Sequence, residues 1–294
     1  MKQPRMMEHG RFAYSAIIDR PPLRWPNGAQ LALWVVPNIE HFKFDVAYGG
    51  TSATPPDVMA YAPRDYGNRV AVWRMMEVMD KYRIRGTAAL NGEICVYEPR
   101  IIEEGNKRGW EWMGHCMTNS HRLGGADEAT ERQVISDTVR TIREGTGRAP
   151  TGWLGAGLAE TPRTPDILKE HGIEYLADWV NDDQPYPMST SHGVLYSIPY
   201  STEINDRTAY DAMKVTPAEF SRMIREQFDC LYAEGAHSAR VMAICLHPFI
   251  SAVPHRIKYL DQAFAHINGH ERIWWATGEE IIEAYKSVAV NAGK

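Results

Sequence analysis

The sequence predicts an α/β barrel, and three observations carry that expectation. Apolar runs of strand length alternate with segments of helical period seven or eight times along the 294 residues. No long Pro/Ser-rich linker interrupts the alternation, so one barrel spanning 1–294 is expected rather than two domains, with residues 1–25 as an N-terminal extension. No Gly-rich dinucleotide fingerprint follows any strand, which places a doubly wound sheet second. Barrels commonly run to about 250 residues.

The elements follow in order. LALWVV (31–36) reads as the first strand. Residues 45–65 are rich in Pro and Gly and read as a long loop, and a loop of that length in a compact domain is usually functional. The next stretch places Val70, Trp73, Met76, Val78 and Met79 on one apolar helical face. TAALNG (87–92) is strand-like; PRIIEEGNKRG is a short helix that Pro99 starts and Gly109 closes. EWMGHC (111–116) is a third strand, and DEATERQVISDTVRTIREGTG is a helix with an acidic start and a glycine end. GWLGAG, PRTPDILKEHG and EYLADWV repeat strand, helix, strand. After YSIPY (196–200) a helix runs from about 216 to 234, and RVMAICLH, PHRIKYLDQAFAHINGH, IWWATG and EEIIEAYKSV continue the pattern.

Composition narrows the function classes. Apolar residues make up 44% and charged residues 23%, enough for a substantial core. A formal net charge of -5, with no dense Lys/Arg run, argues against a nucleic-acid footprint. No apolar stretch reaches the roughly 18 residues of a spanning helix, so no membrane partner is expected. The polar N-terminus and the four scattered cysteines, Cys95, Cys116, Cys230 and Cys245, suit reduced thiols and a cytoplasmic protein. Cys116, though next to His115, reads as a packed thiol because no base–orienter chain accompanies it.

In barrels, catalytic side chains stand at the C-terminal ends of strands. Those ends supply Asn38, Glu40 and His41; then His115, Thr118, Asn119 and His121; then Asp178, Trp179 and the loop 181–186; then Tyr200 with STEIND; and finally His247. One carboxylate and several imidazoles thus converge on one rim. His192, His237, His255, His266 and His270 lie in polar or helical contexts and read as surface residues. Trp34, Trp112 and Trp179 fall in strand-like runs, where core packing accounts for them better than sugar stacking.

Taken in order, NIEHF (38–42), GWEWMGHCMTN (109–119), GW at Trp153, DWVNDDQPY (178–186), IPYSTEIND (198–206) and LHPF (246–249) resemble the polysaccharide-deacetylase superfamily, in its cyclic imide hydrolase and allantoinase branch. The resemblance spans roughly residues 25–285 and implies the deformed barrel of seven or eight strands that this superfamily has. The family pattern starts with two adjacent carboxylates, a base and then a metal ligand. Glu40 falls at the first and His41 replaces the second. The two metal-binding histidines four apart are matched by His115 and replaced by Asn119, and the Leu-His pair near the end is matched by Leu246 and His247.

The resemblance implies a hydrolase that opens the C–N bond of a small cyclic imide or amide. Glu40, His247 and His115 are the expected catalytic residues, and Asn38, Asn119, Trp153, Asn181, Tyr200 and Asn205 the expected substrate contacts. Two arrangements stay open. A divalent ion, expected to be zinc, is held by some set from Glu40, His41, His115, His121 and His247, with His41, His115 and His121 the ligands named first. Otherwise Glu40 activates water directly, with His247 or His115 as the acid. Asn119 is an expected oxyanion donor. The competing readings are allantoinase, a polysaccharide or chito-oligosaccharide N-deacetylase, and a non-catalytic barrel that only binds. The expected partner is a small-molecule substrate, and the resemblance implies a homo-oligomer, dimer or tetramer.

Overall fold

The structure is a computed structural model, and it describes residues 5–47 and 52–292. The elements, in chain order, are β1 (Leu31–Ile39), α1 (Val58–Tyr66), α2 (Val72–Lys81), β2 (Thr87–Leu90), α3 (Gly92–Tyr97), α4 (Pro99–Lys107), β3 (Glu111–Gly114), α5 (Glu128–Thr146), β4 (Gly152–Trp153), α6 (Thr164–Glu170), β5 (Tyr175–Leu176), β6 (Tyr186–Thr190), β7 (Gly193–Ser197), α7 (Pro217–Gly235), β8 (Arg240–Leu246), α8 (Pro248–Ser251), α9 (Ile257–Asn268), β9 (Ile273–Trp275) and α10 (Gly278–Ala292). The strands pair in the order β6-β7-β5-β4-β3-β2-β1-β8, with β9 also paired to β1. All pairs are parallel except the β6–β7 hairpin.

The sheet curls into a deformed barrel that strand ladders do not close. Its two ends approach across a seam, spanned by a single bridge from Asn205 to Cys245 and by the Val241 amide donating to the Asp183 carbonyl at 2.9 Å. β1 pairs with three strands, β2, β8 and β9, and is buried along its whole length, as the apolar run LALWVV at its start requires of a parallel strand covered on both faces.

Local chemistry explains the helix ends. Asp127 caps α5 by accepting from the Thr130 amide, and Gly147 ends it in the left-handed region at φ 85°, where a side chain would be strained. Thr216 and Glu219 form a reciprocal capping box on α7. The first helical face is shifted from the expected one: Val72, Met75, Met76 and Met79 face the core, while Val70 is exposed.

One expectation is corrected, and one element is present that the sequence reading did not place. Residues 45–65 are not loop throughout, because α1 starts at Val58 behind an Asp57 cap and runs past Pro63. Residues 48–51 of that stretch lie outside the described residues. The unplaced element is the β6–β7 hairpin, whose Ser, Thr and Gly content gives no apolar run to read. The described part of the N-terminal extension packs on the body. Trp25 is buried and its indole donates to the Arg240 carbonyl at 2.7 Å; Arg20 pairs with Asp182 at 2.6 Å. Among the described residues no helix is long and apolar enough to cross a membrane.

Candidate active site

Glu40 sits one residue beyond β1, His115 one beyond β3 and His247 one beyond β8, so parallel pairing of these strands brings three chain-distant groups to one rim. They share a cavity of 220 Å³ with Asn38, Asn119, Tyr200 and Asn205. All seven are buried or nearly so.

Glu40 is the hub. Its Oε1 lies 3.4 Å from His247 Nε2 and 3.7 Å from His115 Nε2, and it accepts from the Asn119 amide. His247 Nδ1 lies 2.6 Å from Asp206 Oδ1, while the His247 backbone N–H donates to Asp206 Oδ2 at 2.7 Å. Ser251 donates to the same Oδ2 at 2.7 Å. This fully buried aspartate therefore fixes the ring so that Nε2 faces Glu40. His115 is oriented differently. Its Nδ1 must donate to the Leu154 carbonyl at 2.6 Å, which leaves Nε2 turned to the cavity without a hydrogen-bond partner.

The charges follow from this geometry. Burial would lift the Glu40 carboxyl, but the facing His247 and His115 imidazoles outweigh it and hold the group well below the usual carboxylate range. Burial would discharge His247, but Asp206 and Glu40 outweigh that and raise it to about 9. Near neutral pH the pair is thus carboxylate and imidazolium, one group ready to take a proton and the other to give one.

The remaining expected residues divide. Asn38 braces the rim, donating to the Val36 and Leu246 carbonyls at 3.2 Å each. Asn205 donates to the Tyr200 hydroxyl at 3.3 Å. Asn119 is committed at both amide ends, to Glu40 and to Asn91, so it orients the Glu40 carboxylate and has no N–H aimed into the cavity as the expected oxyanion donor would. Trp153 is fully buried in an apolar cluster and does not line the cavity. Asn181 lines a separate 750 Å³ cavity beyond Tyr200 and accepts from Tyr186. Asp206 was not among the expected residues, nor were Arg122 and Arg207, which line the same cavity as Glu40 and His247.

The expected metal ligands are not brought together. His41 turns away from Glu40, stacks on Tyr97 and points its ring nitrogens at Glu93 (3.7 Å) and Glu98 (3.5 Å). His121 is exposed in the loop after β3. With Asn119 committed as above, the donors do not fit an ordinary three-ligand zinc centre at this rim. Among the described residues, three such donor atoms converge within 4.8 Å only elsewhere, on α7, at the end of α9 and just beyond it.

One glycine is required here. Gly155 donates its N–H to Asp178 Oδ1 at 2.7 Å, and a Cβ at 155 would stand 2.8 Å from Asp178 Oδ2 and 2.9 Å from the Ala159 carbonyl oxygen. Asp178 and Glu160 form a buried carboxyl pair behind this wall. Burial raises Glu160 to about 7, and burial together with the neighbouring Glu160 raises Asp178 well above its ordinary value, so the pair holds a proton. Burial also pushes the Cys116 thiol up to about 12, as a packed thiol requires.

Comparisons with known proteins bear on this site. A curated protein of Schizosaccharomyces pombe ascribed to the polysaccharide deacetylases is 26% identical over 92% of this chain and 94% of its own length. The peptidoglycan deacetylase of Helicobacter pylori is 24% identical over 81% of this chain and 90% of its own. The solved structure of PuuE allantoinase superposes with a TM-score of 0.84 at 24% identity, covering 97% of both chains, a likeness of fold. Members of this superfamily are hydrolases and typically depend on a metal. Residues 53–176 match the sequence model of the family described as Polysaccharide deacetylase, and the chain accordingly carries a polysaccharide deacetylase domain.

Proposed function

We propose that this protein hydrolyses a C–N bond of a small cyclic imide or amide, with Glu40 as general base and His247 as general acid. The observation that carries the reading is the Glu40–His247–Asp206 chain, 3.4 Å and 2.6 Å between successive partners, at the floor of a small cavity. Glu40 takes a proton from a water that attacks the ring carbonyl. His247 gives its proton to the leaving ring nitrogen, which departs as an amide. The proton on Glu40 then returns to His247, restoring the pair. The positive groups of Arg122 and Arg207 line the cavity and suit both the developing oxyanion and the carboxylate product. No step is routed through a metal.

The 220 Å³ volume supports a small ring, since it lies below the about 300–1,000 Å³ of sites for drug-sized ligands. It weighs against a sugar polymer, the substrate class that the name of the Helicobacter pylori relative states. The second reading is allantoinase, the activity named for the solved structure that covers 97% of this chain. The test is ring opening of succinimide, maleimide, hydantoin and allantoin beside acetate release from acetylated chito-oligosaccharides, with wild type and Glu40→Gln. Imide turnover that falls at least about 100-fold in Glu40→Gln is expected, and it should survive treatment with a chelator. Acetate release without ring opening, or full turnover by Glu40→Gln, overturns the reading.

A further inference from the structure

The sequence places His266 and His270 four apart, at the end of α9 and just beyond it. The helical path continues through Gly269 at φ -76°, ψ -4°, and the His270 amide donates to the Ile267 carbonyl at 3.1 Å. Residues four apart on a helical path share a face, the spacing by which two imidazoles bind one ion. Across the groove, Asp229 of α7 completes a set in which one donor atom from each residue lies within 4.8 Å of the others. We propose that Asp229, His266 and His270 form a binding site for a borderline divalent transition-metal ion such as zinc.

Three observations support the assignment. His270 Nδ1 donates to the His266 carbonyl oxygen at 3.0 Å, so Nε2 is the atom left with a lone pair and the ring is oriented from behind. Imidazole ligands in metal sites are held in this way. His266 Nε2 already faces Asp229 Oδ1 at 2.7 Å, so a carboxylate and an imidazole nitrogen are within a metal's diameter of each other. Phe228 and Tyr232 pack on His270 at centroid distances of 4.8 and 5.3 Å and limit its rotation.

The adjustment needed is small. Zinc–nitrogen bonds of 2.0–2.1 Å set donor atoms about 3.3 Å apart in a tetrahedron. Asp229 is exposed and His266 is half-buried, so turning their side chains closes the remaining distance without moving a helix. Two imidazoles and one carboxylate suit zinc, nickel or copper better than magnesium or calcium, with water in the fourth place. Protons are the competing ligand, since each imidazole must be neutral to bind.

The site stands apart from the proposed chemistry. The 269–272 turn leads into β9, whose Ile273 pairs with Leu31 at the start of β1, whereas Glu40, His115 and His247 all follow strand ends. A bound ion would tie α7 to α9, helices separated by 37 residues at the Asp229–His266 pair. Its effect is therefore on stability, because an ion that binds only the folded chain raises the melting temperature in proportion to the logarithm of its concentration.

The experiment uses the full chain without an affinity tag, stripped of metal and titrated with ZnCl₂ by calorimetry at pH 7.5, with melting followed in parallel. Glu40→Gln, His266→Gln and His270→Gln are compared. The expected result is one zinc per chain with a raised melting temperature, unchanged in Glu40→Gln and weakened at least tenfold in both histidine variants. Cobalt, as a spectroscopic substitute, should give an absorption spectrum of nitrogen and oxygen ligation. Absence of binding, undiminished binding in both histidine variants, or a thiolate charge-transfer band tracing to the neighbouring Cys230 would overturn the proposal. The melting temperatures of the metal-free variants separate lost ligation from lost folding.

Discussion

Replacing Asp206 by Asn tests the acid of the proposed mechanism at its support. Asp206 is fully buried and meets three donors, the amide and Nδ1 of His247 and the Ser251 hydroxyl, at 2.6–2.7 Å. Raising His247 from 6.5 to about 9 corresponds to about 3 kcal/mol in favour of the imidazolium. Two carboxylates supply this against burial, and Asp206 contributes before Glu40. Asn keeps an acceptor for Nδ1 but removes the charge, so the basic limb of the kcat/KM profile should fall by at least one pH unit. If the limb moves from about 9 to about 7.5, the protonated fraction at pH 8.5 drops roughly eightfold. The assay is imide ring opening between pH 6 and 10, with circular dichroism to confirm folding. A folded Asp206→Asn enzyme with the wild-type basic limb would refute the assignment of His247 as the acid. The same group links folding to pH. Because His247 is raised in the folded state, its contribution is complete below 6.5 and is lost as pH rises through about 9. Wild-type stability should decline across that window and the variant's should decline less.

Other perturbations probe the scaffold. Glu160 is raised to about 7, so its protonated carboxyl contributes stability in full below about 4.5 and loses that contribution as pH rises through about 7. Glu160→Gln should flatten this part of the melting profile, and an unchanged slope would show that the pair does not carry a proton. A Cβ at Gly152 would meet Tyr175 Cζ at 2.1 Å, so Gly152→Ala should cost at least about 1–3 kcal/mol in urea unfolding. Thr216→Ala removes one half of the α7 capping box and should cost about 1 kcal/mol by the same method.

How much of this was legible depended on the kind of signal each element carries. β1 and β8 are continuous apolar runs and read as buried strands; α5 and α7 announce themselves by acidic starts and glycine ends. The β6–β7 hairpin lies at the sheet edge with exposed positions on both sides, so no apolar period marks it. At the site, strand ends identified Glu40, His115 and His247, because parallel strands deliver their last residues to one rim. What the spacing could not tell was direction: His41 follows Glu40 by one residue and faces the other way, as neighbouring residues in an extended chain do. Trp153 failed for the same reason, its ring turned into the apolar layer. Asp206 ends the run IPYSTEIND, but an Asp after an Asn reads as a turn former, and its burial beneath His247 appears only when β8 is in place.

The seam between the sheet's ends gives the fold a consequence for timing. One lip carries Asn205 and Asp206; the other carries Cys245 and, two residues on, His247. The acid's counter-ion thus also latches the barrel where strand ladders leave it open, so every excursion that parts the lips separates imidazolium from carboxylate. Deprotonation should in turn loosen the latch, making amide exchange in residues 199–208 a local clock for the charge on His247.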